Sequence, residues 1–143
     1  MLSAMSARIL LVDDSHSDRV LFREMLKEIN PRFKLLSAQD GITAIMQLTA
    51  ENAEIPDMIF MDMKMPRMNG VETLKAIKNY DFLNHIPVVM YSTGELEEYQ
   101  PLAKKFGASY CLKKSMDMQQ SVDEIRIIIE KILVHERNKR NES

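Results

Sequence analysis

The sequence predicts an α/β protein, a doubly wound, five-stranded parallel sheet in the order 2-1-3-4-5 with five helices. Three observations predict it. Short apolar, β-rich runs alternate five times with amphipathic stretches along 143 residues, the pattern of a parallel sheet with helical crossovers. The runs are apolar without alternation, as in strands buried on both faces. Each run also stops at a polar residue, and right-handed crossovers leave few ways to connect such units.

Taken in order, Arg8–Val12 (Arg-Ile-Leu-Leu-Val) is the first strand, halted by Asp13-Asp14. Ser15 or Ser17 is placed to cap a helix in which Val20, Leu21, Met25, Leu26 and Ile29 recur at helical spacing until Asn30-Pro31. Residues 33–37 form the second strand. Ile42, Ile45, Met46 and Leu48 mark the second helix, closed by the polar segment before Pro56. Met58–Met61 is the third strand, and it ends on Asp62. A loop with Pro66 and Asn69-Gly70 leads to a helix carrying Val71, Leu74 and Ile77. Residues 87–91 form the fourth strand, with Ser92-Thr93-Gly94 at its exit. The stretch 95–106 is a helix with acidic residues first and Lys104-Lys105 last, as the helix dipole favours, and Gly107 ends it. Residues 109–112 are the fifth strand, followed by Lys113-Lys114. Val122, Ile125, Ile128, Ile129, Ile132 and Leu133 make the apolar stripe of the last helix. Residues 135–143 are polar throughout and are expected to fray. The chain thus divides into an extension (1–7), one domain (8–134) and a tail (135–143).

Composition narrows the function. Hydrophobic residues at 45% and charged residues at 28% are the mix of a soluble globular domain. A net charge of −2 gives no general attraction to nucleic acid or an anionic membrane. No apolar run approaches the roughly 20 residues of a membrane span, and residues 1–7 lack the pattern of a signal peptide. The single cysteine, Cys111, forms no internal disulfide and suits a reducing cytoplasm. The expectation is a cytoplasmic one-domain protein with neither a nucleic-acid nor a membrane partner.

In an open parallel sheet, ligands bind beyond the carboxyl ends of the strands. Strand one ends in Asp13-Asp14, strand three in Asp62, strand four in Ser92-Thr93 and strand five in Lys113-Lys114. Each alone reads as turn, cap or solvated-surface chemistry; their convergence on one rim is what points to a site. Three neighbouring carboxylates repel one another unless a cation neutralises them. Oxygen ligands at an exposed rim suit Mg²⁺. One carboxylate then stays anionic as a nucleophile toward phosphorus, with a lysine and a hydroxyl to neutralise the phosphoryl oxygens. Other features are weaker. Met58, Met61, Met63, Met65 and Met68 read as core filling rather than a ligand box. His16 reads as exposed or capping, and Cys111 as a small buried hydrophobe. Arg137-Asn-Lys-Arg140 is too short and mixed to define an acidic-partner site.

Four fragments in order, Ile-Leu-Leu-Val-Asp13-Asp14, Met-Asp62-Met-Lys-Met-Pro66-Arg-Met-Asn-Gly70, Ile-Pro87-Val-Val-Met-Tyr-Ser92-Thr93 and Gly107-Ala-Ser-Tyr-Cys-Leu-Lys-Lys114, resemble the receiver domain of bacterial response regulators. The resemblance spans about 8–134, nearly the whole chain, and implies the flavodoxin-like fold of a stand-alone receiver. It implies that Asp62 accepts a phosphoryl group from a histidine kinase or phosphotransfer protein. Asp13, Asp14, Asp62 and the backbone carbonyl of Lys64 would hold Mg²⁺. Lys114 and Ser92 would contact the phosphoryl oxygens, Ser92 acting as the switch. A downstream protein would bind the helix 4–strand 5–helix 5 face, near Tyr99 and Tyr110.

Three positions depart from the family pattern. Cys111 stands where receivers carry an inward-turning Tyr or Phe, and Tyr110 should face the other way because side chains alternate along a strand. Ser115 replaces the proline after the lysine, so the Lys114–Ser115 bond is either trans in a differently shaped loop or a cis bond costing about 2.5–4 kcal/mol. Lys113 is the weaker alternative to Lys114, being aimed elsewhere by alternation. Thr93 takes a small-residue position, and the Lys64 side chain stands within reach of the phosphoryl group. The departures motivate a competing reading, a phosphorylation-independent interaction module. A dehalogenase-type phosphohydrolase is disfavoured because Lys64 occupies the position where that chemistry needs a second aspartate. A nucleotide-binding P-loop is absent from the sequence.

Overall fold

In the computed structural model, which describes residues 2–94 and 96–142, the apolar runs become five strands. They are β1 (Arg8–Val12), β2 (Lys34–Ala38), β3 (Met58–Met61), β4 (Val88–Ser92) and β5 (Tyr110–Lys113). All neighbours pair in parallel, in the predicted order β2-β1-β3-β4-β5. The crossovers are α1 (His16–Ile29), α2 (Gly41–Thr49), α3 (Gly70–Lys78) and α4 (Leu96–Lys105), and α5 (Met118–Glu142) follows the last strand. Three strands begin and end one residue later than the apolar runs suggest. At β4 the cause is plain: Pro87 has no N–H to give, so it joins the ladder only through its carbonyl, which accepts from Ile59 N at 2.9 Å.

Strand alternation sends successive residues to opposite faces, and each face has its own core. Leu10, Val12, Ile59, Met61, Val88 and Met90 pack under α2, α3 and α4 with Leu48, Leu74 and Ile77. Ile9, Leu11, Met58, Phe60, Val89 and Tyr91 pack under α1 and α5 with Phe22, Val122, Ile125 and Ile129. On that second face Phe22 and Phe60 lie 5.1 Å apart, and Tyr91 meets Phe60 edge-on at 6.0 Å. The methionines behave as core filling: Met58, Met61, Met63 and Met65 are buried and Met68 is half-buried.

Helix starts follow local chemistry. Ser15, rather than Ser17, caps α1, and Asp40 caps α2. Asn69 and Glu72 form a reciprocal capping box at α3. The expected start of α4 at Glu95 lies outside the described residues. The tail expected to fray is helical here: residues 135–142 continue α5 to Glu142. No Gly or Pro interrupts 118–142, and Glu136 and Arg140 line a groove with Pro56, Asp57 and Pro87, the residues that lead into β3 and β4. The extension is also tied down. Asn30 donates from Nδ2 to the carbonyls of Leu2 (2.8 Å) and Met5 (3.0 Å). No described helix is long and apolar enough to cross a membrane.

Candidate functional site

Parallel strands deliver their carboxyl ends to one rim, and the backbone ladder runs one residue past the strands there. Asp13 N donates to Ala38 O (3.1 Å), Asp62 N to Val12 O (2.9 Å) and Lys114 N to Ser92 O (2.8 Å). These bonds fix the three charged residues relative to one another before any side chain acts. Asp13, Asp14 and Asp62 each offer a carboxylate oxygen within 4.8 Å of the others. Asp13 and Asp62 are buried, at 1% and 8% exposure, while Asp14 faces solvent. Ser92, the last residue of β4 and itself buried, donates from Oγ to Asp62 Oδ1 at 2.9 Å. Asp13, Asp14, Asp62, Ser92 and Lys114 are therefore brought together as the sequence reading expected.

Burial pushes the Asp62 carboxyl above its ordinary range, and the Asp13 charge adds to that. The Lys114 ammonium, the Ser92 hydroxyl and the Lys64 backbone amide pull it back only in part. A divalent cation among the three carboxylates would relieve that unfavourable charge, and hard oxygen donors around a buried anion are the donor set such an ion takes. Lys114 is affected the opposite way. Burial alone would lower its pKa, but its hydrogen bond to Asp13, then the charges of Asp13 and Asp62, outweigh burial and hold it above the usual lysine range.

Lys114 is not paired with Asp62. Its Nζ donates to Asp13 Oδ2 at 2.6 Å and to Asp18 Oδ2 at 3.0 Å. Lys113, its neighbour, is exposed at the end of β5. No cis peptide bond occurs among the described residues, so Lys114–Ser115 is trans. Lys64 is exposed, and its Nζ lies 3.5 Å from where a Cβ on Gly94 would stand, across the mouth of the rim. Cys111 is half-buried against the core beneath α4, Tyr110 points to the opposite core, and burial raises the Cys111 thiol pKa.

Sequence reasoning missed three participants. Asp18 looks like the acidic member of a Ser-x-x-Asp cap, yet its carboxylate reaches Lys114 instead. Arg19 donates from Nη1 to the Asp13 carbonyl at 2.7 Å. The ring of Tyr91 lies 5.5 Å from Lys114 Nζ. Only the helical phase of α1, which turns Asp18 and Arg19 toward the rim, would have signalled the first two.

The response regulator receiver domain matches residues 9–126. The chain belongs to the response regulator receiver family. It is 34% identical over 129 residues to sporulation initiation phosphotransferase F of Bacillus subtilis (strain 168), covering 90% of this chain and 95% of that protein. Among solved structures it resembles the phosphorylated cyanobacterial phytochrome response regulator RcpA, with a TM-score of 0.82 and 29% identity over 90% of this chain and 95% of that one. It also resembles the Mn²⁺-bound form of response regulator Rcp1, with a TM-score of 0.76 and 29% identity over 85% of this chain and 91% of that one. Receiver domains are signalling modules of two-component systems that interact with histidine kinases or phosphotransfer proteins and with downstream targets.

Proposed function

We propose that this receiver accepts a phosphoryl group on Asp62 in the presence of Mg²⁺ and that the modification changes its affinity for a partner protein. The observation that carries the reading is the buried Asp62 carboxylate, bonded to Ser92 and grouped with Asp13, Asp14 and Lys114 at one rim. An Asp62 carboxylate oxygen attacks phosphorus in line. A P–O bond forms as the P–N bond to a donor phosphohistidine breaks, and the imidazole leaves with the electron pair. Bound by Asp13, Asp14, Asp62 and the Lys64 backbone carbonyl, Mg²⁺ would neutralise charge on the carboxylates and the phosphoryl oxygens. Ser92 holds its proton on Asp62 Oδ1 and turns it toward a phosphoryl oxygen once that oxygen arrives. Lys114 supplies the remaining positive charge. The phosphorylated RcpA and Mn²⁺-bound Rcp1 relatives support both the modification and a divalent ion.

The donor is a histidine kinase or phosphotransfer protein, and the output face is α4–β5–α5. Ser92 ends β4 beside β5, so its movement is felt directly by that face. Here the face carries Cys111 instead of an aromatic switch residue. Intact-protein mass after incubation with acetyl phosphate and Mg²⁺ tests the reading. One phosphoryl adduct is expected, lost on chelation and lost in Asp62→Asn. A wild-type protein unmodified by acetyl phosphate and by a phosphohistidine donor would instead be a phosphorylation-independent interaction module.

A further inference from the structure

Lys114 is 11% exposed and holds two carboxylates, Asp13 and Asp18, while Asp62 takes its hydrogen bond from Ser92. The two partners differ in kind. Asp13 belongs to the acidic cluster at the rim. Asp18 stands in the first turn of α1 and, with Lys114, lines the groove between α1 and the start of α5 that also contains Leu21, Met25 and Tyr91. Asp62 does not line that groove.

Local chemistry explains why Asp18 is available. In a reciprocal cap its carboxylate would turn back to the Ser15 backbone N–H. That N–H is already donated to Asp13 Oδ1 at 2.9 Å. Asp18 keeps only the backbone half of the cap, its N–H donating to Ser15 Oγ at 3.3 Å, and its carboxylate is released toward Lys114. The Tyr91 ring, 5.5 Å from Nζ, lines the same side.

Resting on the phosphoacceptor reading of Asp62, we propose that Asp18 is a positioning residue that draws Lys114 toward the groove and competes for it with a phosphoryl group on Asp62. An ammonium has three donors in a compact head. Asp13 and Asp18 take two of them, and in this competition the head swings from the groove to the phosphoryl oxygens by giving up Asp18, the more exposed partner at 39%. Asp18 thus makes engagement of the lysine conditional on the phosphoryl charge, weakening it by about two- to fivefold, the worth of a partly exposed ion pair.

The test is a double-mutant cycle read with beryllofluoride, a phosphoryl mimic, added with Mg²⁺ and followed by backbone amide shifts around Asp62. Asp18→Asn is expected to tighten beryllofluoride binding about two- to fivefold in the wild-type background and to leave it unchanged with Lys114→Met. An unchanged affinity, or equal tightening in both backgrounds, overturns the proposal, since the second result is a general loss of negative charge. The Lys114 ¹⁵Nζ resonance gives an independent check. It should differ between free wild type and free Asp18→Asn and coincide in their beryllofluoride complexes; coincidence in the free forms overturns the proposal. A wild type that forms no Mg²⁺-dependent beryllofluoride complex defeats the underlying reading of Asp62 as well. Normal wild-type binding with no Asp18 effect defeats the positioning role alone.

Discussion

At Asp62, burial disfavours the charged carboxylate while Lys114, Ser92 and the Lys64 amide favour it, and burial prevails. A raised folded-state pKa means the folded protein holds its proton more tightly than the unfolded chain does. The associated stability is complete below the unfolded carboxyl pKa and is lost as pH rises through the folded value. At neutral pH without metal, Asp62→Asn is therefore expected to raise Tm by about 2–5 °C, read by thermal denaturation in a chelating buffer, with the gain vanishing at acid pH. An equal or lower Tm at neutral pH contradicts this account of Asp62. Lys64 makes a separate prediction. Its ammonium reaches across the rim toward Gly94, so Lys64→Ala should change the lifetime of the aspartyl phosphate while leaving the fold intact. An unchanged dephosphorylation rate would remove Lys64 from the site. At this scale the sequence was informative wherever a residue ends a strand, as Asp13, Asp62, Ser92 and Lys114 do. Asp18 was illegible because its partner lies 96 positions away and its spacing from Ser15 imitates a cap.

Elements were legible in type and order because their apolar periods are unambiguous, and less so at their ends, where tertiary contacts decide. The last turns of α5 read as a polar tail, but no Gly or Pro breaks the segment and the helix continues through it. Two helices hold sites where a single atom matters. Gly70 opens α3 against the end of β3: a Cβ there would overlap the Asp62 carbonyl oxygen and stand 2.9 Å from Met63 Cα. Gly70→Ala must push α3 away from the candidate phosphoacceptor, at a cost of about 1–3 kcal/mol in denaturant titrations, together with slower phosphorylation. A neutral substitution would mean that the α3 start yields freely. α4 presents the opposite case. Pro101 lies inside it and removes an intrahelical hydrogen bond, and Ala103 is its one buried residue among those described. Amides of 97–100 and 102–105 should accordingly exchange faster than those of α3, and Pro101→Ala should slow them and stabilise the protein by about 1 kcal/mol or more.

For the whole molecule, the two cores follow from strand parity alone, and the rim follows from all five strands running the same way. What the sequence lacked was the state of the charges once assembled: a buried carboxylate raised in pKa beside a lysine committed elsewhere. That balance predicts how global stability responds to metal. A cation that binds the folded rim and not the unfolded chain stabilises the fold by mass action, about 2.7 kcal/mol when present at 100 times its dissociation constant. Mg²⁺ should raise Tm well beyond the effect of sodium chloride at matched ionic strength. The increment should shrink in Asp62→Asn, which gives up one of the three carboxylates that come within 4.8 Å of each other. Metal binding requires deprotonated carboxylates, and Asp62 starts from a raised pKa, so the increment should fade early as the buffer is acidified. Equal shifts from Mg²⁺ and sodium chloride would reduce the cluster to ordinary charge screening, and the thermal measurement would show it before any kinase is in hand.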